Sequence, residues 1–110
     1  MATTSYKVLG QSNPSATTAT TLYTVPSSTE AVISSLVICN QSGSPATYRI
    51  AVRPDGASLS AVHYIVYDAT IAGNNTTAYT LGITVNAADV ITIYASTATL
   101  SFVAFGSEIV

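Results

Sequence analysis

His63 is the only histidine in the 110-residue chain, and any general acid–base chemistry would begin there. A Ser-His-Asp relay would set Asp55 or Asp68 behind the imidazole and one of 14 serines in front of it. No Gly-x-Ser-x-Gly elbow is present, and no serine is marked out by its surroundings. A lone histidine on an alternating stretch reads more simply as a packed or rim residue. Cys39, the only cysteine, ends the apolar run Leu36-Val37-Ile38-Cys39. There a thiol packs as a small hydrophobe, whereas a reactive thiolate needs an accessible, electropositive setting. With one cysteine no internal disulfide can form. The five acids, Glu30, Asp55, Asp68, Asp89 and Glu108, are never spaced i, i+2 or i, i+4. That pattern offers no metal cluster, no dense calcium loop and no nominated glycosidase pair. No Gly-rich phosphate loop occurs. The sequence therefore assigns no catalytic, metal-binding or cofactor-binding residue.

What remains is recognition. In Thr47 to Arg53, Tyr48, Ile50 and Val52 alternate with Thr47, Arg49, Ala51 and Arg53, so two of the three cations share one strand face. Either that face is solvated and the arginines pair with Asp or Glu, or it meets an acidic partner. Tyr64, Tyr67 and Tyr79 offer ring faces to a sugar, although the absence of Trp weakens a carbohydrate platform. Three cations neutralise too few phosphates for nucleic acid to be the partner. No apolar run approaches the roughly 18 residues of a membrane span. The start, Met-Ala-Thr-Thr-Ser-Tyr-Lys, lacks the charged-then-apolar layout of a signal peptide, which sets the expectation of a chain made and used in a cytoplasm.

These residues must be positioned by strands. Hydrophobic residues make up 48% of the chain and charged residues 7%, against about 25% charged in an average domain. The surface is left to Thr and Ser, with 17 and 14 copies. The cleanest pattern lies in Tyr79 to Tyr94. Tyr79, Leu81, Ile83 and Val85 alternate with polar residues, Asn86 to Asp89 are turn formers, and Val90 to Ala95 is again β-branched and aromatic. This predicts a β-hairpin that serves as the spine of the domain. Ala31 to Asn40 is apolar on both faces and reads as a central strand or a subunit contact. Further strands are expected over Thr21–Val25, Thr47–Arg53, Val62–Asp68 and Thr99–Phe105, with a bulge at Gly106. The expected fold is all-β: a single β-sandwich or jelly-roll-like domain of about eight short antiparallel strands. Residues 21–110 form the sandwich. Residues 1–20 are an extended N-terminal segment, either a first strand plus loop or an arm that orders only against a neighbour.

Several segments together carry a resemblance: Tyr6-Lys7-Val8-Leu9-Gly10-Gln11, Leu22-Tyr23-Thr24-Val25-Pro26, Tyr48-Arg49-Ile50-Ala51-Val52-Arg53-Pro54, His63-Tyr64-Ile65, and Leu81-Gly82-Ile83-Thr84-Val85 with Asp89-Val90-Ile91. The chain resembles the small structural proteins of tailed bacteriophages, which are short, rich in Thr, Ser and Ala, nearly uncharged and all-β. The resemblance implies a non-enzymatic virion protein. Its role would be capsid decoration, a cement that bridges shell subunits, or a small tail, fibre or baseplate component. The implied partners are copies of itself, as a homo-oligomer and most often a trimer, together with the major capsid protein or tail proteins. The outside alternative is a carbohydrate-binding β-sandwich module. No family residues carry over, so the interface candidates come from the chain itself: Tyr6, Val8, Arg49, Arg53 and Tyr64.

Overall fold

The structure is a computed structural model that describes residues 2–110. Nine strands follow one another: β1 (Thr4–Ser12), β2 (Thr20–Thr24), β3 (Glu30–Asn40), β4 (Ala46–Arg53), β5 (Tyr64–Ile71), β6 (Thr76–Tyr79), β7 (Ile83–Val85), β8 (Val90–Ala95) and β9 (Leu100–Ile109). They build two antiparallel sheets. One runs β1-β9-β3-β6, with β7 also on β3; the other runs β2-β8-β4-β5. The sheets face each other as a β-sandwich.

Alternation on the long strands makes the core. Leu100, Phe102 and Ala104 of β9 are fully covered, as are Ile38 of β3 and Ile91 and Ala95 of β8. The Tyr48 ring on β4 meets Phe102 edge-on from the opposite sheet at 6.3 Å between centroids. Its hydroxyl bonds that of Tyr79 at 2.6 Å, so a polar atom carried by a buried ring is satisfied at the sheet-to-sheet contact. β3 looked apolar on both faces because its phase changes. Ser34 is an extra residue between the pairs Ile33–Gly106 and Ser35–Phe105. Ala31 and Ile33 before it, and Leu36 and Ile38 after it, therefore all point inward, and Val32 and Val37 point out.

Four expectations change. Tyr79 to Tyr94 is not a hairpin: β7 pairs with β3 and β8 with β2 and β4. The turn itself is real, with the Asp89 amide donating to the Asn86 carbonyl and the Asn86 amide to Asp89 Oδ2, but it is a corner between sheets. The run ahead of it is also broken, since Gly82 has φ +63° and Thr80 to Gly82 leave the sheet. His63 closes a 3-10 turn, Ala61–His63, instead of lying on the strand. The bulge expected at Gly106 sits in the strands on either side, at Leu9 and Ser34. Gly106 has its own reason: a Cβ there would lie 1.9 Å from the Val32 carbonyl oxygen. As for the N-terminal segment, of which Met1 lies outside the described residues, β1 pairs along its length with β9 of the same chain.

Truncating Phe102 to Ala leaves a hole against Tyr48 that both sheets line. The variant should lose about 3–5 kcal/mol in urea-induced unfolding, read against wild type by far-UV circular dichroism. A loss below about 1 kcal/mol would mean that the two sheets are not clamped there.

Candidate functional site

Of the groups named for catalysis, His63 and Asp68 are engaged in structure. The His63 imidazole accepts from the Ser60 amide through Nδ1 at 3.1 Å, while the His63 amide donates to the Ser60 carbonyl. The ring thus closes its own turn. Asp89 accepts from the amides of Asp55 and Asn86, and Asp68 and Glu108 are paired with cations. Among the described residues no group of three His, Cys, Asp or Glu side chains is placed to hold a metal. Among the described residues no helix is long and apolar enough to cross a membrane.

Arg49 is the centre of a polar–aromatic cluster on the outer face of the β2-β8-β4-β5 sheet. Its guanidinium lies over the Tyr67 ring and over the Tyr94 ring, 4.3 Å from each centroid. Nε and the Nη2 amino group donate to the two Asp68 oxygens at 2.6 and 3.2 Å. A two-residue irregularity in β5 makes this possible. Tyr48 pairs with Ala69 and Ile50 with Val66, so Tyr67 and Asp68 together oppose Arg49. Asp68 takes φ +52° there, a left-handed conformation that Asp tolerates better than most residues, and the bulge re-aims both side chains. The hydrogen bond to Arg49 holds the Asp68 carboxyl below its ordinary range, and the same bond holds the guanidinium up. Arg53, two pleats along, donates to the Ala57 and Gly56 carbonyls and to Thr92 Oγ1, fastening the connection after β4. Both arginines are thus occupied within the chain, Arg49 by an acid and Arg53 by carbonyls and a hydroxyl. An acidic partner would have to displace these contacts.

Tyr64 meets Tyr67 edge-on at 5.0 Å. With Ser60 and Ala61 the pair lines an open depression of about 570 Å³. Tyr79, the third ring considered for a sugar, is half-buried and bonded to Tyr48, so it is not part of this surface.

Sequence reasoning missed Glu108. It is 93% covered, counting from a relative exposure of 7%, and sits on the inward face of β9 beyond Phe102 and Ala104. Tyr23 on β2 donates its hydroxyl hydrogen to Oε2 at 2.5 Å, and Lys7 on β1 lies 2.5 Å from Oε1. One carboxylate therefore joins three strands and both sheets. The Lys7 and Tyr23 hydrogen bonds outweigh desolvation and hold Glu108 below its ordinary pKa. Burial, then the bond to Glu108, raises the Tyr23 phenol. The signal in the sequence was a carboxylate continuing the period-2 series Leu100, Phe102, Ala104.

The opposite face of the β1-β9-β3 layer is apolar and open. Register puts Tyr6, Val8, Phe105, Val103, Val32 and Val37 on it. Tyr6 is 85%, Val8 46% and Phe105 40% exposed. Glu30, at one end, is the charge that the pairing assigns to this face. Tyr6, Val8, Val32 and Phe105, with Lys7 also in the lining, rim a shallow hollow of about 520 Å³. Tyr6 and Val8, two of the five interface candidates, thus come together. Arg49 and Tyr64 lie on the other sheet, and Arg53 is folded onto its own loop. Searches of protein-family models, curated proteins and solved structures find no match to this chain.

Because folding lowers the Glu108 pKa, the stabilisation it gives is full above the unfolded value of 4.5 and is lost as pH falls through the folded value. The Tyr23 part has the opposite sense, present below the unfolded value and lost as pH rises through the raised one. Glu108→Gln should be less stable than wild type at neutral pH, with the gap closing as the solution is acidified below about 4.5. Urea unfolding across pH reads this; parallel curves for the two proteins would show that Glu108 carries no differential titration.

Proposed function

We propose that this chain is a non-enzymatic virion structural protein of a tailed phage, a decoration or cement protein that binds the head and bridges its capsid subunits, in association with copies of itself. The observation that carries the reading is the open, nearly uncharged apolar face of β1-β9-β3 around Tyr6, Val8 and Phe105. Isolated exposed apolar residues need no explanation, but a contiguous set on one rigid sheet marks a contact surface. Buried Glu108, bonded to Lys7 and Tyr23, and the Tyr48–Tyr79 hydrogen bond tie that sheet to the other, so docking needs little reorganisation. Many copies engaged on one shell turn a weak single contact into firm attachment. The resemblance of the strand segments to small phage structural proteins points the same way, and it leaves a tail, fibre or baseplate position as the other outcome.

One observation favours a second reading, a carbohydrate-binding module. The Ser60, Ala61, Tyr64 and Tyr67 depression offers ring surface beside a hydroxyl. The outer face of Tyr67 is partly taken by Arg49, and the two tyrosine rings stand nearly perpendicular at 83°, which leaves no flat platform for a sugar ring.

The deciding experiment mixes purified protein with phage heads and tails that lack it and follows co-sedimentation. Heads should be decorated, and Phe105→Asp, which alters a half-exposed residue, should fold yet bind much less. Saturable binding to tails alone would move the protein to the tail. Binding to neither particle, with binding to a glycan that Tyr64→Ala abolishes, would replace the virion reading by the carbohydrate one.

A further inference from the structure

We propose that β1 is a self-complementary sheet edge, and that two copies of the chain join through antiparallel pairing of their β1 strands about a two-fold axis at Tyr6. The inference deepens the self-association in the proposed function and rests on it.

A sandwich of two open sheets has four edges, and unprotected edges are templates for further pairing. Three are obstructed. β5 carries the Tyr67–Asp68 bulge with its left-handed residue. β2 is five residues long and irregular at Leu22. The β6 and β7 edge is interrupted from Thr80 to Gly82. β1 is different. Its own bulge, at Leu9, and the approach of Gly10 to the Leu22 carbonyl affect only its second half. From Thr4 to Val8 it is regular, exposed and free of Pro.

Hydrogen-bond phase shows which groups are free. Thr3 and Val110 exchange both amide–carbonyl bonds at 3.0 Å. Antiparallel alternation then turns Ser5 and Lys7 toward β9 and leaves the N–H and C=O of Thr4, Tyr6 and Val8 pointing away. A second β1 set antiparallel about Tyr6 matches Tyr6 with Tyr6, and Thr4 with Val8 in both directions. Every free group then finds its complement. The same register lays Lys7 of one copy beside Ser5 of the other, in line with the other copy's Glu108, so the charges along that row alternate between copies where they could repel. On the outer face the two Tyr6 rings become neighbours, and the two apolar faces join into one. The isologous contact is closed, so it makes a dimer. A three-fold ring would require β1 to pair with one of the obstructed edges.

The two-fold puts residue 6 opposite itself, which gives a test by charge exchange. Tyr6→Asp and Tyr6→Lys alter a side chain that is 85% exposed, so each variant should keep the wild-type circular dichroism spectrum. Sedimentation velocity over a concentration series should show wild type as a dimer, each variant alone shifted to monomer by like charges directly opposed, and an equimolar mixture returned to dimer. Wild-type oligomers that both variants form equally well would overturn β1 pairing while leaving self-association standing. A trimer would overturn the two-fold. A strict monomer at every concentration would overturn the self-association itself. A wild-type monomer whose binding to phage heads is lost in both variants would give the edge to a capsid strand and overturn the second copy as its occupant.

Discussion

Hydrogen bonding of β9 on both of its sides is the constraint on which the rest of the molecule depends. Held between β1 and β3, β9 sends Leu100, Phe102 and Ala104 into the core and Val103 and Phe105 to the outside. Gly106 allows β3 to approach closely enough for this. Bulges at Leu9 and Ser34 bring the flanking strands back into phase after it. Glu108, one turn of the pleat further, reaches across to Tyr23. A carboxylate in that position would be costly if unpaired; with Lys7 and Tyr23 it ties β9 to β1 and β2.

The two outer faces that result are unlike each other. On the β2-β8-β4-β5 side, Arg49 lies against two tyrosines and Asp68, and Arg53 holds its own loop, although Ile65 and Tyr67 of β5 are exposed there too. On the β1-β9-β3 side little is satisfied internally. Tyr6, Val8 and Phe105 remain in water, and every second backbone group of the first half of β1 has no partner among the described residues. That asymmetry is why association is placed on β1 and not on the arginine face. Asn40 at the far end shows the contrasting strategy. Its buried amide accepts from the Ser42 amide and donates to the Ser44 carbonyl, fixing loops instead of leaving edges open.

Much of the fold was legible because period-2 alternation is local. The all-β class and the inward side of Thr47–Arg53 follow from it. What was not legible was non-local. Val85 and Val90 flank a good turn, but nothing in either strand says that they belong to different sheets. The Ser34 bulge turned one alternating face into an apparent two-faced run. At Tyr67–Asp68 no glycine announced the left-handed residue, so the clasp on Arg49 was read only as a possible pairing with some acid. Tyr6 and Val8 could be picked out as apolar residues spaced by two on an otherwise polar lead, whereas the Lys7–Glu108–Tyr23 link spans the length of the chain and needed the structure.

The central claim is that the first half of β1 is an open edge which closes on assembly. Residue-resolved amide hydrogen exchange tests it most directly. In dilute protein the Ser5 and Lys7 amides should be protected by β9, while those of Thr4, Tyr6 and Val8 exchange quickly. In the assembled state at high concentration, these three should gain protection together. If they stay fast while the amides of β2 or β5 slow down instead, association runs through another edge and the account is wrong.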